Sequence, residues 1–455
     1  MDKLVFFHKT PALWNKNKNL PSDTEVSDLA KMKKQFQNLP LDTQISEFFS
    51  TDVYFQMCKE ICAQLGIKEF HIVHGYIDGE LRNWTVQEEQ GWCNVDSDTT
   101  YWSFTEPQNL LSFMDSSIIV SRGNYPIFHQ WLSDHSVPHE RRFWLHYPAT
   151  SLRFPHLERY VENTVKLLDS ESNSPKIERT LTGMLKEHEL EFETSTLKDR
   201  FSRLTEHFRN QRSSVIGGPY SVVLADGSSN VKPLSDVFPN ALIQTFVKPA
   251  IWVENEVNYS REYDLMYCGT SLQSTKNHQC FVQLVKHLDA LIDHELKIVI
   301  AGNKAESNVH EHLFQYPFSK IKLINVGEVT RRQLQSLFSK SKTIIVTSGR
   351  DANPRIIQEG LVHGTRVIAI DTLSDGLDFI SSNPLLGAVL KSDSSEWKYA
   401  RNGNLVFLPS IHLASRVIEE INKSSFPDLV MEISRRKLSL QNSVQPLINT
   451  IKSFR

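Results

Sequence analysis

From residue 263 onward, short runs of apolar, β-branched residues alternate with amphipathic stretches at intervals of roughly 20 to 30 residues, the pattern of βαβ units that build a parallel sheet. The runs at 264–268, 297–301, 321–326, 343–347 and 366–370 are expected to be strands. Each closes on a turn or polar residue: Gly269, Gly302, Gly327, Ser348 and Asp371. Ligands of open α/β sheets bind beyond the carboxyl ends of the strands, so these five loops are where a ligand is to be sought. The intervening helices carry legible punctuation. Thr330 with Gln333 three residues on forms a capping box, and Leu334, Leu337 and Phe338 supply the buried stripe that follows. Asn353 and Pro354 read as N-cap and first helical position of a short helix at 354–363, which Gly364 ends as a left-handed residue.

The first half is similar but less regular. Apolar runs at 70–73, 117–120, 143–145, 221–224 and 242–246 read as strands, with helices around 56–65 and 126–132. Between them, Leu157, Val161, Val165 and Leu168, then Leu197, Phe201, Leu204 and Phe208, recur at helical spacing and predict a helical insertion at about 155–215. Residues 248–262 lack clear periodicity and are taken as a boundary. The expected organisation is two α/β domains, 1–250 and 251–430, whose sheets face each other across a cleft, with a helical segment 431–455 crossing back over the first domain.

Composition narrows the class. With 455 residues, 40% hydrophobic and 23% charged, the chain has the make-up of a folded multidomain protein, and a formal charge of −3 argues against a dedicated nucleic-acid binder. The five cysteines, Cys58, Cys62, Cys93, Cys268 and Cys280, form no CxxC pair, which favours a reducing compartment. Cys58 and Cys62 read as core packing rather than metal ligands. The initial apolar run, Leu4 to Phe7, is too short for a signal-peptide core, and no stretch suits a spanning helix. A cytoplasmic protein is expected, with contact at a membrane surface left open.

Two loops carry the candidate chemistry. In Ser348-Gly349-Arg350-Asp351-Ala352-Asn353-Pro354-Arg355, a strand runs through an acidic loop into a helix whose N-terminus suits phosphate. Glu359 follows on the face opposite Ile356, Ile357 and Gly360, where a carboxylate can accept paired hydroxyls such as those of a ribose. The competing reading is an ordinary i, i+4 ion pair between Arg355 and Glu359 on a solvated face. In the other loop, Cys268-Gly269-Thr270-Ser271 leads to Lys276-Asn277 at a helix start, where a lysine suits a leaving diphosphate or is merely a surface residue. There is neither a Walker A pattern nor a GxGxxG.

In order and spacing, the Gly269 loop, Lys276-Asn277, Ile298 to Gly302, Val326-Gly327-Glu328-Val329, Asp351 with Glu359 eight positions on, and Gly364 to Ala369 resemble the C-terminal half of GT-B glycosyltransferases like those of family 4. The likeness covers roughly 263–375. The first half is similar only through His71-Ile72-Val73-His74-Gly75 and Ile118 to Gly123. The resemblance implies two Rossmann-like domains across a cleft (GT-B), a nucleotide sugar, UDP- or GDP-linked, in the second, and a glycan, lipid-linked or small-molecule acceptor presented by the first. It further implies transfer of a hexose-type sugar with retention. Carried over, Glu359 holds the ribose, Asp351 faces the donor sugar and Lys276 contacts the diphosphate. Gly269, Thr270 and Asn353 line the donor. His71 or His74 meets the transferred sugar, His74 being preferred because it precedes Gly75 at the strand's end while His71 lies inside an apolar run, and Arg122 is an acceptor-side cation. Asp351 stands where the family usually has Glu, and no arginine follows Gly269, so Arg350 or Arg355 is the expected substitute. No metal or other cofactor is expected, and Asp96-Ser97-Asp98 reads as a turn rather than a metal motif. A nucleotide-sugar 2-epimerase and a catalytically silent scaffold are the alternatives.

Overall fold

A computed structural model describes residues 3–7, 46, 49, 52–75, 93–104, 117–122, 142–145, 221–225, 228, 231–252, 261–269, 276–302, 313–327, 329, 331–348, 354–372, 376–399, 405–423 and 426–453. These fall into two compact units, one built from residues up to 145, 221–251 and 437–453, the other from 252–436. The insertion expected at 155–215, the helix expected at 126–132 and Thr330 of the capping box lie outside the described residues.

In the first unit the elements are β1 (Lys3–Phe7), α1 (Val53–Leu65), β2 (Glu69–Gly75), β3 (Cys93–Asp96), β4 (Thr99–Phe104), β5 (Ser117–Arg122), β6 (Arg142–Leu145), β7 (Val222–Ala225), α2 (Val231–Val237) and β8 (Leu242–Thr245). They form one sheet in the order β3-β4-β2-β1-β5-β6-β7-β8, parallel throughout except for the antiparallel β3–β4 pair. The short Leu4–Phe7 run, read above only as too brief for a leader, is the middle of this sheet. Leu4, Val5 and Phe6 are fully buried, as are Ile118, Ile119 and Val120 beside them, because a central parallel strand is covered on both faces. Helix α1 starts at Asp52, whose carboxylate accepts from Phe55 N at 2.9 Å, and stops at Gly66 in the left-handed conformation. Its Cys58 and Cys62 sit in the core and pack it, as the sequence predicts.

The second unit contains β9 (Tyr263–Cys268), α3 (His278–Leu291), β10 (Leu296–Ala301), β11 (Ile321–Gly327), α4 (Arg331–Ser339), β12 (Ser341–Val346), α5 (Arg355–Val362), β13 (Arg366–Ile370), β14 (Gly387–Leu390), the hairpin β15 (Trp397–Tyr399) and β16 (Leu405–Phe407), α6 (Ile411–Ile421) and α7 (Pro427–Leu438). Its sheet is wholly parallel, ordered β11-β10-β9-β12-β13-β14. The five expected strands form within two residues of their predicted ends; β14 was not anticipated. Gly364 takes φ 76°, the left-handed turn expected of it. The C-terminal segment is two helices rather than one. After α7, α8 (Leu440–Ser453) buries Val444, Leu447, Ile448 and Ile451 in the core of the first unit against α1.

Candidate functional site

The order of the second sheet creates its site. From β9 the chain builds outward through β10 and β11, then returns to the other side of β9 for β12 and β13. The loops leaving β9 and β12 therefore part at a topological switch point, where doubly wound sheets open a crevice for ligands. Those are the two loops singled out above.

Side chains and backbone lace this edge together. Thr347, directly after β12, donates from Oγ1 to Lys276 O at 2.9 Å, joining the ends of the two loops. Gly269 N donates to Ala301 O at 3.0 Å and Gly302 N to Gly327 O at 2.8 Å, so the loops after β9, β10 and β11 hold one another. Thr372 Oγ1 donates to Ser348 O at 2.8 Å. Asn277 caps α3 from a left-handed conformation (φ 50°) that asparagine tolerates, its side chain accepting from Cys280 N and donating to Phe407 O. Lys276 directly precedes that cap.

Glu359 is carried to the same edge by α5. Gly360 lets the helix lie close on the sheet: a Cβ there would stand 2.4 Å from Ile344 Cδ1. The competing reading put Glu359 in an ion pair on a solvated face, and there the structure differs. Glu359 is only 7% exposed and Gln358 6%, whereas Arg355 is exposed. Helix α5 packs against α4, β12 and β13, which leaves almost no solvated side. The helix also begins one residue later than expected, with Pro354 as N-cap and no side-chain capping bond.

The Cys268 thiol reports how Glu359 and Lys276 are disposed. It is pushed up to about 12, chiefly by burial; the charge of Glu359 adds to the rise and that of Lys276 opposes it. Both groups thus act on the residue that ends β9, although they enter from different loops. Cys268 keeps partial exposure as a residue while its thiol is enclosed.

Thr270, Arg350, Asp351 and Asn353 lie outside the described residues. In the first unit, β2 and β5 flank β1, with Phe7 in register with Val73 on one side and Ser121 on the other. The backbones of His74 and Arg122 therefore sit at the carboxyl edge, one on each side of β1 and two strand spacings, about 10 Å, apart. Their side chains lie outside the described residues. His71, inside the same strand, is partly buried, and burial holds its imidazole below the usual range. Asp96-Ser97-Asp98 is the turn between β3 and β4: Asp96 Oδ1 accepts from Asp98 N at 3.0 Å, and Oδ2 pairs with Lys59 at 2.6 Å.

Sequence reasoning gave no role of their own to Tyr267, His278 and Thr347, which brace this edge from beneath. Their signal is polar residues at the buried ends of strands and at a helix start, meaningful only once β9 and β12 are known to be neighbours.

Residues 253–396 match the glycosyl transferases group 1 family. No curated protein matches the chain. Among solved structures, it is similar to the α,α-trehalose 6-phosphate synthase of Burkholderia multivorans, at 10% identity and a TM-score of 0.54 over 100% of this chain and 99% of that one. It is likewise similar to the trehalose-6-phosphate protein of E. coli bound with UDP-2-fluoro glucose, at 10% identity and a TM-score of 0.52 over 99% of each chain. A third is the UDP-forming α,α-trehalose-phosphate synthase of Burkholderia vietnamiensis, at 9% identity and a TM-score of 0.51 over 86% of this chain and 96% of that one. At such identity the likeness establishes the fold, two Rossmann-like domains of the GT-B type. The second unit thus matches the glycosyl transferases group 1 family over residues 253–396, and the chain as a whole has the GT-B fold.

Proposed function

We propose that the chain transfers a hexose-type sugar from a UDP- or GDP-linked donor to a glycan, lipid-linked or small-molecule acceptor, with retention of anomeric configuration. The observation that carries this reading is the switch point of the second sheet. Its two loops are tied by the Thr347–Lys276 bond, and Glu359 and Lys276 both act on the end of β9. Glu359 accepts the ribose hydroxyls, as a buried carboxylate beside the loop from β9 is suited to do. Lys276 and the start of α5 stabilise the negative charge that grows on the diphosphate as the sugar–oxygen bond breaks. Asp351 faces the donor sugar. The acceptor hydroxyl attacks the anomeric carbon and gives its proton to the departing phosphate oxygen, while His74 and Arg122 serve the sugar and the acceptor. The similar synthases support a uridine donor: one is UDP-forming and another binds UDP-2-fluoro glucose. No resident metal takes part, so activity is expected to survive chelation.

A thermal-shift screen with UDP, GDP, ADP and CMP sugars tests the donor site. At a hundredfold excess over Kd, a bound ligand stabilises by about 2.7 kcal/mol. One nucleotide family is expected to raise the melting temperature, and its nucleoside diphosphate to be released only when an acceptor is present. Release without acceptor, or sugar inversion at C2, points to an epimerase. Binding with no turnover of any donor points to a silent scaffold.

A further inference from the structure

Beneath the candidate diphosphate loop lies a buried polar cluster that the proposed chemistry does not use. Tyr267, the penultimate residue of β9, is 1% exposed and stacks on Phe281 of α3, with ring centroids 3.8 Å apart and planes 6° from parallel. Its hydroxyl lies 2.7 Å from His278 Nδ1 and 3.4 Å from Lys276 O. His278, the first residue of α3, is 2% exposed. Thr347 Oγ1 reaches the same Lys276 carbonyl at 2.9 Å and lies 3.5 Å from Asn277 O. When His278 donates its Nδ1–H to the phenol oxygen, the phenol hydrogen is left for Lys276 O. Burial pushes the phenol well above its ordinary range, which keeps that hydrogen in place across neutral pH. The cluster also touches the glycine of the loop: a Cβ on Gly269 would stand 2.6 Å from His278 Cε1 and 3.0 Å from the Tyr267 hydroxyl.

We propose that Tyr267, backed by His278, is a positioning residue for diphosphate binding: with Thr347 it fixes the Lys276 backbone at the switch point and so decides where the ammonium is delivered. Two strand ends that flank the crevice, β9 and β12, converge through hydroxyls on one carbonyl, and that carbonyl belongs to the lysine expected to meet the diphosphate. A residue needed only to fill the core would make its packing through the ring, which Phe281 already satisfies. This inference rests on the reading that Lys276 contacts the diphosphate.

The test is a double-mutant cycle read by calorimetric titration with UDP and GDP, and with uridine and guanosine as probes that lack the diphosphate. Tyr267→Phe keeps the ring stack and removes the hydroxyl. Affinity for the nucleoside diphosphate is expected to fall on the order of tenfold in the wild-type background and less than twofold in Lys276→Ala, with nucleoside affinity unchanged, because coupled residues are non-additive. Thr347→Val is expected to act in the same direction and takes over the test if Tyr267→Phe does not fold. Equal losses in both backgrounds, or a lowered melting temperature with full affinity, would overturn the inference and leave a packing role. If Lys276→Ala itself costs no affinity, or wild type binds neither diphosphate, the underlying reading falls and the inference falls with it. If Lys276→Ala weakens binding and Tyr267→Phe does not, only the inference falls.

Discussion

Gly302 presses against the Gly269 loop so closely that a Cβ on Gly302 would stand 1.8 Å from the Gly269 carbonyl oxygen. Its φ of 151° also belongs to a region that side chains rarely adopt. Gly302, directly after β10, is thereby the floor under Gly269, directly after β9, and the contact admits no side chain. Gly302→Ala is expected to destabilise by about 1–3 kcal/mol through strain and to displace the Gly269 loop, weakening nucleotide binding as well. Denaturant melts and a nucleotide titration check both; wild-type values in each would mean the loops are not in contact.

Glu359 and the Cys268 thiol are coupled electrostatically. Burial is the larger cause of the raised thiol, so Cys268 is expected to alkylate slowly at pH 8. Removing the carboxylate charge with Glu359→Gln lowers the thiol and speeds that reaction. Mass-spectrometric rates of iodoacetamide labelling at Cys268 measure it. An unchanged rate would separate Glu359 from the end of β9.

Arg366 of β13 and Glu420 of α6 form a buried pair, Nη2 to Oε2 at 3.1 Å, with Arg366 Nη1 also donating to Glu420 O at 2.8 Å. Glu420→Ala strands an enclosed guanidinium and is expected to cost about 3–5 kcal/mol, whereas the apolar pair Arg366→Met with Glu420→Leu recovers much of it. Chemical denaturation of the three proteins reads the difference. A loss under 1 kcal/mol in the single variant, by the same principle, would show that solvent reaches the pair.

The Asp289 carboxylate receives the chain entering β11, accepting from Lys320 N at 2.7 Å and from Ser319 N and Ile321 N at 3.1 Å each. Burial alone would raise this group, but these donors outweigh it and hold it below the usual carboxylate range. A depressed carboxylate contributes stability that is present above its unfolded value and lost as pH falls through its folded one. Asp289→Asn is therefore expected to be less stable than wild type at pH 7, by on the order of 1 kcal/mol after allowing for solvent screening, and to converge with it under acid conditions. Parallel pH–stability curves would contradict this.

The second sheet was legible because the cores of its inner parallel strands are covered on both faces and appear in the sequence as short apolar runs. Arg366 to Ile370 is the clearest case, with all five residues buried. Leu4 to Phe7 has the same character, yet four apolar residues have no meaning until their partners, at Phe70 to Val73 and Ile118 to Ser121, are known. Gly364 was readable because its left-handed turn is local. Glu359 was found as a candidate beside a competing reading of a solvated ion pair, because helical spacing assigns a polar face, whereas packing by α4, β12 and β13 decides whether that face meets water. Tyr267 and Thr347 were given no role of their own for the same reason, since their juxtaposition follows from strand order and not from spacing.

The central claim is that Glu359 holds the ribose and Lys276 the diphosphate of one ligand, and it is tested most directly by titrating inorganic pyrophosphate and the preferred nucleoside diphosphate into wild type, Glu359→Gln and Lys276→Ala. A charged hydrogen bond is worth about 1.5–3 kcal/mol, roughly tenfold to a hundredfold in affinity. The account predicts a loss of that size for the nucleoside diphosphate in both variants, but for pyrophosphate in Lys276→Ala alone. Equal affinities across the three proteins, or a Glu359→Gln loss as large for pyrophosphate as for the nucleotide, would contradict it.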